Sequence, residues 1–357
     1  MIIVFKNWFH RYFTDPQAII LAVLLIIGFA IILNLGGMLA PVLAAIVIAY
    51  LLEGLVRFFQ HYGFPRMLAV ILVFLVFMVS LLFILFGLLP LLSHQLTQLI
   101  EQIPEMVSHG QQLLLLLPDK YPDIINIGQV RAIMDSMRVA LGELGQSAVV
   151  ISLASLQGVM MLLVYLFLVP FLVFFFLKDK VIILGYLGSL LPKERQIVSE
   201  VWKQMNTQIA SYVRGKLLEV LIVWVACYVA FAFMGLHYAS LLSFLVGLSV
   251  IIPYMGAAAV TVPVILIGYF QWGWTSEYLW MLTVYGVIQA VDGNIIVPIM
   301  FSEVVNLHPV AIMVAVLFFG GIWGFWGVFF AIPLATLVQV VISCWPRTPV
   351  SLALEDS

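Results

Sequence analysis

The residues best placed to do chemistry in an apolar setting lie in one stretch, Val287 to Met300, which reads VIQAVDGNIIVPIM. On a helix Gln289 and Asp292 are three apart and share a face. Pro298 lacks the N–H that would bond the carbonyl of Asn294, so an acid, two amides and a loosened carbonyl gather beside Gly293. A carboxylate at the centre of a lone membrane helix costs on the order of 3 kcal/mol on insertion scales, so such an acid faces a cavity or a partner. The group suits a cation, a proton or a small polar solute, and Asp292, Gln289 and Asn294 are the expected transport and ion-coupling residues. It also suits a polar knot, because interhelical acids and amides tie helices to one another. From Leu217 to Pro346 the chain has no Lys or Arg.

The neighbouring apolar runs carry similar punctuation. In VIIPYMGAAAVTVP, Pro253 and Pro263 free the carbonyls of Ser249 and Ala259 and Gly256 adds slack; in FFGGIWGFWGVFFAIP the corresponding residues are Gly320, Gly321, Gly324, Gly327 and Pro333. Broken helices at membrane depth are tolerated only where protein or a water-filled cavity satisfies the backbone, as in many secondary transporters. Pro253, Gly256, Pro263, Gly293, Pro298, Gly320, Gly321 and Pro333 are therefore the expected helix-break and gating positions. Close helix packing is the other reading of the glycines.

No catalytic signature accompanies them: HExxH, GxSxG, GxGxxG, CxxC and a P-loop are all missing from the sequence. An intramembrane aspartyl protease needs two acids within spans, and Glu53, Glu219 and Glu303 fall near predicted ends. His237 and His308 read as interfacial packing residues. Cys227 and Cys344 read as small buried hydrophobes without metal-ligand spacing. The expectation is no enzyme, no cofactor and no metal.

The elements that must position these residues are membrane helices. The 357 residues are 64% hydrophobic and 9% charged, with a mean hydropathy of +1.19. The net charge of -2 excludes a nucleic-acid footprint, which needs a basic stripe. Apolar runs at 17–35, 38–55, 68–92, 150–177, 217–235, 240–270, 278–301 and 309–342 predict eight spans in an all-α polytopic membrane protein.

Lys6 and Arg11, Arg57 and Arg66, the seven basic residues from Lys178 to Lys216, and Arg347 fall on one side if each run crosses once, which makes that side cytoplasmic. The organisation is then 1–92, helices one to three; 93–147, a periplasmic helical arm with six acids against three bases; 148–177, helix four; 178–216, a cytoplasmic amphipathic segment; 217–342, helices five to eight with the site; and 343–357, a cytoplasmic tail. In the amphipathic segment Ile197, Val201, Met205 (or Gln208), Ile209, Tyr212 and Val213 share a face, which suits either the membrane surface or the protein's own bundle.

AYLLEGL (49–55), PFLVFFFLKDK (170–180), IIPYMGA (251–257), QAVDGNIIVPIMFSEVVNLHP (289–309) and FGGIWGFWGVFFAIPLATL (319–337) together resemble the autoinducer-2 exporter family over nearly the whole chain. The resemblance implies an eight-helix transporter of the bacterial inner membrane, assembled as a homo-oligomer with a pentamer favoured. Members are associated with export of autoinducer-2, a small polar furanosyl compound, and others look like sodium/proton antiporters. One departure is Glu53-Gly54, where many members have a proline soon after YLL.

The leading expectation is a secondary permease, an exporter, coupling a small polar solute to a proton or sodium gradient among membrane lipids. The alternatives are a sodium/proton antiporter and a non-transporting membrane scaffold.

Overall fold

The computed structural model describes residues 16–120, 128, 132, 134–136, 162–189, 196–253, 255–301 and 308–345. Most of the arm beyond Lys120, Glu303, the cations Lys6, Arg11, Lys193, Arg195 and Arg347, and the tail from 346 lie outside the described residues. The described residues form an all-helical membrane protein.

Helix α1, Pro16–His61, is 46 residues long. Near its start Gln17 Oε1 accepts from Ile197 N at 3.1 Å, and near its end the Tyr50 hydroxyl donates to Asn206 O at 2.6 Å. Positions 17 and 50 are 33 apart whereas 197 and 206 are nine apart. Straight helices would separate these pairs by about 50 Å and about 14 Å at ~1.5 Å per residue. Helix α1 is therefore strongly bent, and this one helix contains both of the runs at 17–35 and 38–55.

Helix α2, Arg66–Phe83, passes through a π-helical turn at Ile84–Leu88 into α3, Leu89–Lys120. The third span thus continues into the base of the arm without a break. There Gln95 Oε1 accepts from Leu241 N at 2.8 Å. Helix α4, Leu162–Lys178, bends by 79° into α5, Lys180–Ser189.

Helix α6, Gln196–Met234, runs unbroken for 39 residues and joins the amphipathic segment to the following span. The face expected from Val201, Met205, Ile209, Tyr212 and Val213 packs against Leu21, Val340 and Ile332 of the bundle itself. Of the two readings of that face, the structure takes the second.

Two apolar runs that were expected to cross once instead double back. Helix α7, Ala239–Ser249, has 11 residues and reaches only about 16 Å, short of a ~30 Å hydrocarbon core. The chain turns at Val250–Pro253 and returns as α8, Met255–Trp272. Gln271 at the end of α8 clips the start of the hairpin, accepting from His237 N at 2.7 Å and donating to Gly235 O at 2.8 Å. Gly256 sits hard against the Ser249 carbonyl, so the tip closes only because that residue has no Cβ.

Helix α9, Ser276–Val291, continues through a π-helical turn, Asp292–Ile296, into α10, Val297–Phe301. The second hairpin is α11, Pro309–Trp323, with α12, Phe325–Phe329, and α13, Ala331–Cys344. Its chain reverses at Gly324, where φ is 59° and ψ is -133°, a conformation closed to residues with a Cβ. Ala331 then packs on Ala315 and Val316.

Five described helices are long and apolar enough to cross a membrane, or six if α4 and α5 form one bent span. Among the described residues the eight separate crossings expected from hydropathy are not reached, because the runs at 17–35 and 38–55 lie in the single helix α1 and α7, α11 and α13 are too short to cross alone.

Candidate functional site

Two elements bring charge together at one depth. Glu219 lies 15 residues before the end of α6 at Met234, and Asp292 lies 16 residues after the start of α9 at Ser276. At ~1.5 Å per residue both are roughly 22 to 24 Å from the arm-side ends of their helices. The π-helical turn packs against α6, and Asp292 is within electrostatic reach of Lys216, Glu219 and Cys227.

Lys216 and Glu219, three apart on α6, form a buried ion pair. Lys216 Nζ donates to Glu219 Oε2 at 2.8 Å and to Oε1 at 3.0 Å, with 7% and 2% of the two residues exposed. Asp292 is 7% exposed, and its Oδ1 has no hydrogen-bond partner. Gln289 Nε2, one turn back on the same face, is likewise buried and unpartnered. Behind it, Tyr285 shares a 2.8 Å hydrogen bond with Thr261 of α8, whose hydroxyl also donates to Ala257 O at 2.7 Å. Gln289 and Asp292, three apart on one helix, thus each leave a buried polar atom without a hydrogen bond, with the Tyr285 hydroxyl close to the amide. Buried polar groups are otherwise almost always paired.

The structure brings Gln289 and Asp292 together and separates Asn294 from them. Asn294 is exposed, and its Nδ2 donates to Ala290 O at 2.8 Å, so it serves the backbone of the widened turn. The missing N–H of Pro298 is absorbed by that turn rather than by a break: Val297 N bonds Asp292 O, the five-residue spacing of a π-helix. Gly293 within it has open space around it.

Of the other expected break positions, Pro253 and Gly256 form the first hairpin tip. Pro263 lies inside α8, which runs on through it. Gly320 and Gly321 lie inside α11, the reversal falling instead at Gly324. Pro333 sits in the first turn of α13, where the lost N–H would be unbonded in any case.

Sequence reasoning missed two charged groups. Lys216 reads as a loop cation and Glu219 as an acid near a helix end; their spacing of three at the edge of an apolar run was the available signal. The second group is at the basic side, where Glu53, 6% exposed, receives Lys180 Nζ at 3.0 Å and Arg66 Nη2 at 3.4 Å, with Arg57 Nε at 3.8 Å. Arg66 also donates to Leu177 O at 2.9 Å, so α1, α2 and the α4–α5 bend are clasped around one carboxylate.

Two cavities of about 450 and 400 Å³ adjoin on the arm side, sharing Gln102, His237 and Tyr238. Their remaining lining is rich in polar side chains, including Gln98, Glu105 and Gln271. Neither is lined by Asp292, Gln289 or Asn294. Among the described residues no group of His, Cys, Asp and Glu could hold a metal ion.

Helical hairpins and a polar, charged cluster inside an otherwise apolar helix bundle are features of membrane transport proteins. The family model described as "AI-2E family transporter" matches residues 19–347, and the chain belongs to that family. It is 46% identical over 346 residues to the "Putative permease PerM" of Escherichia coli strain K12, covering 97% of this chain and 98% of that protein. It is also 27% identical over 311 residues to the "Putative transport protein YueF" of Bacillus subtilis strain 168, covering 84% of this chain and 82% of that protein.

Proposed function

We propose that the chain is a secondary transporter of the bacterial inner membrane that exports a small polar solute such as autoinducer-2, driven by a proton or sodium gradient. The observation that carries this reading is the buried pair of unsatisfied groups, Gln289 Nε2 and Asp292 Oδ1. A solute hydroxyl satisfies both at once, accepting from the amide and donating to the carboxylate. In this reading the basic face is cytoplasmic, the arm is periplasmic, and the cleft beneath the arm is the outer vestibule. The assembly is a homo-oligomer, with a pentamer favoured on the family resemblance.

A second reading is a sodium/proton antiporter. It is favoured by the buried cluster of Lys216, Glu219 and Asp292 lying apart from both solute-sized cavities.

The test is flux in proteoliposomes of autoinducer-2 and of sodium, each with and without a pH gradient, for wild type and Asp292→Asn. The amide is nearly isosteric and less costly to bury than a charge, so the variant keeps the fold and loses gradient-driven flux by at least tenfold. An Asp292→Asn protein that transports normally but is markedly less stable makes the acid a structural residue and removes the proposal.

A further inference from the structure

We propose that Lys216 is a counter-cation shared in turn by Glu219 and Asp292, and that the ion coupled at this site is a proton carried by Asp292. The inference rests on the reading of Asp292 as the transport acid and adds the identity of its ion and of the group that answers it.

Three observations carry it. Lys216 is held by Glu219, not by Asp292, whose Oδ1 is left without a hydrogen bond in a position only 7% exposed. With both acids ionised, the cluster has two carboxylates and one ammonium, so one negative charge is uncompensated. Finally, nothing between Leu217 and Pro346 supplies another basic side chain. A buried carboxylate without a partner is stabilised either by taking a proton or by drawing a cation toward it. Lysine is suited to the second task, being a compact charge on a flexible stem with three donors.

The cycle balances simply. A proton from solvent binds the Asp292 carboxylate, no other bond forms or breaks, and the cluster goes from a charge of minus one to neutral while Lys216 stays on Glu219. When that proton leaves, the new carboxylate competes for the ammonium.

Sodium fits the same place poorly. Sodium sites in broken helices are built from freed backbone carbonyls. Around Asp292 the carbonyls are largely engaged: that of Asp292 accepts from Val297 N, those of Gln289 and Ile288 accept from Asp292 N, and that of Ala290 accepts from Asn294. The lack of an N–H on Pro298 leaves at most the carbonyls of Gly293, whose Val297 N–H goes to Asp292, and Asn294 without a helical bond, and an ammonium already stands nearby. The titratable groups facing Asp292 from α6 are Lys216, Glu219 and Cys227, with Tyr212 beyond Glu219; on its own helix the nearest is Tyr285. Of these, only the lysine is a cation.

Infrared difference spectroscopy on the lipid-reconstituted protein, stepped through pH in sodium-free buffer, reads the site without any solute. Wild type shows a protonated-carboxyl C=O band on acidification, and Asp292→Asn lacks it. In Lys216→Met, with the cation gone, its midpoint rises by about one pH unit or more. In Glu219→Gln, with Lys216 released to Asp292, the midpoint falls, so the two variants move in opposite directions. If Lys216→Met does not fold, the fall in Glu219→Gln decides the question.

No band lost in Asp292→Asn, a band removed by sodium at fixed pH, or a midpoint that fails to fall in Glu219→Gln overturns the proposal. Lost flux in Asp292→Asn with no pH-dependent band overturns the proton assignment and leaves the transport reading standing; a band with normal flux overturns the transport reading and with it the coupling role, leaving only a titrating acid.

Discussion

Replacing Lys216 with Met should destabilise the protein far more than replacing Glu219 with Gln, although each breaks the same pair. In the structure the two charges are 2.8 Å apart and almost wholly buried. Removing one partner of such a pair leaves an uncompensated buried charge, at about 3 to 5 kcal/mol. Lys216→Met leaves two acids, Glu219 and Asp292, facing each other with no cation, so it takes that full cost. Glu219→Gln leaves Lys216 with Asp292 as a replacement partner, so the loss is about that of one imperfectly recovered hydrogen bond, ~1 kcal/mol. At ~2 °C per kcal/mol the melting temperature falls by about 6 to 10 °C in the first variant and about 2 °C in the second. The double variant, which removes the pair together, should lie close to wild type, a coupling of about 4 to 6 kcal/mol. Thermal unfolding in a single detergent, followed by tryptophan fluorescence, measures all four proteins. Equal losses in the two single variants, or a double variant that is their sum, would refute the claim that Asp292 stands ready to receive Lys216.

Gly256→Ala should disrupt the first hairpin, because the added Cβ collides with the backbone carbonyl of Ser249; Gly321→Ala, which meets open space, should leave melting within ~1 °C of wild type, and similar melting for the two variants would count against the tip geometry. Glu53→Gln should cost about 1 to 3 kcal/mol and speed proteolysis around the α4–α5 bend, since Arg66 and Lys180 lose their common carboxylate; unchanged digestion would mean the clasp does not hold that bend. In a Cys344→Ser background an impermeant thiol reagent added from the periplasm should label Gln112→Cys but not Lys203→Cys, and the reverse pattern would invert the proposed topology.

What the sequence determined by itself was the class of the molecule and the address of its acid. Long apolar runs have no stable home but a membrane, and a lone aspartate within one of them is costly enough to be visible without any structure. Gln289 was legible with it because helical spacing is local. Asn294 was not separable from them, since only the π-helical turn aims it back at Ala290.

Hydropathy could not distinguish one crossing from a hairpin in 240–270 or 309–342, because thirty apolar residues have the same composition either way. The choice lies in long-range contacts: Gln271 clipping Gly235 and His237, and Gly256 closing on Ser249. The tertiary structure alone decided which charges are buried together. Glu53 meets Lys180 across 127 positions, and the pair on α6 faces an acid more than seventy residues away. Burial of a charge depends on what the rest of the chain packs around it, whereas the cost of an acid in an apolar run depends only on the run.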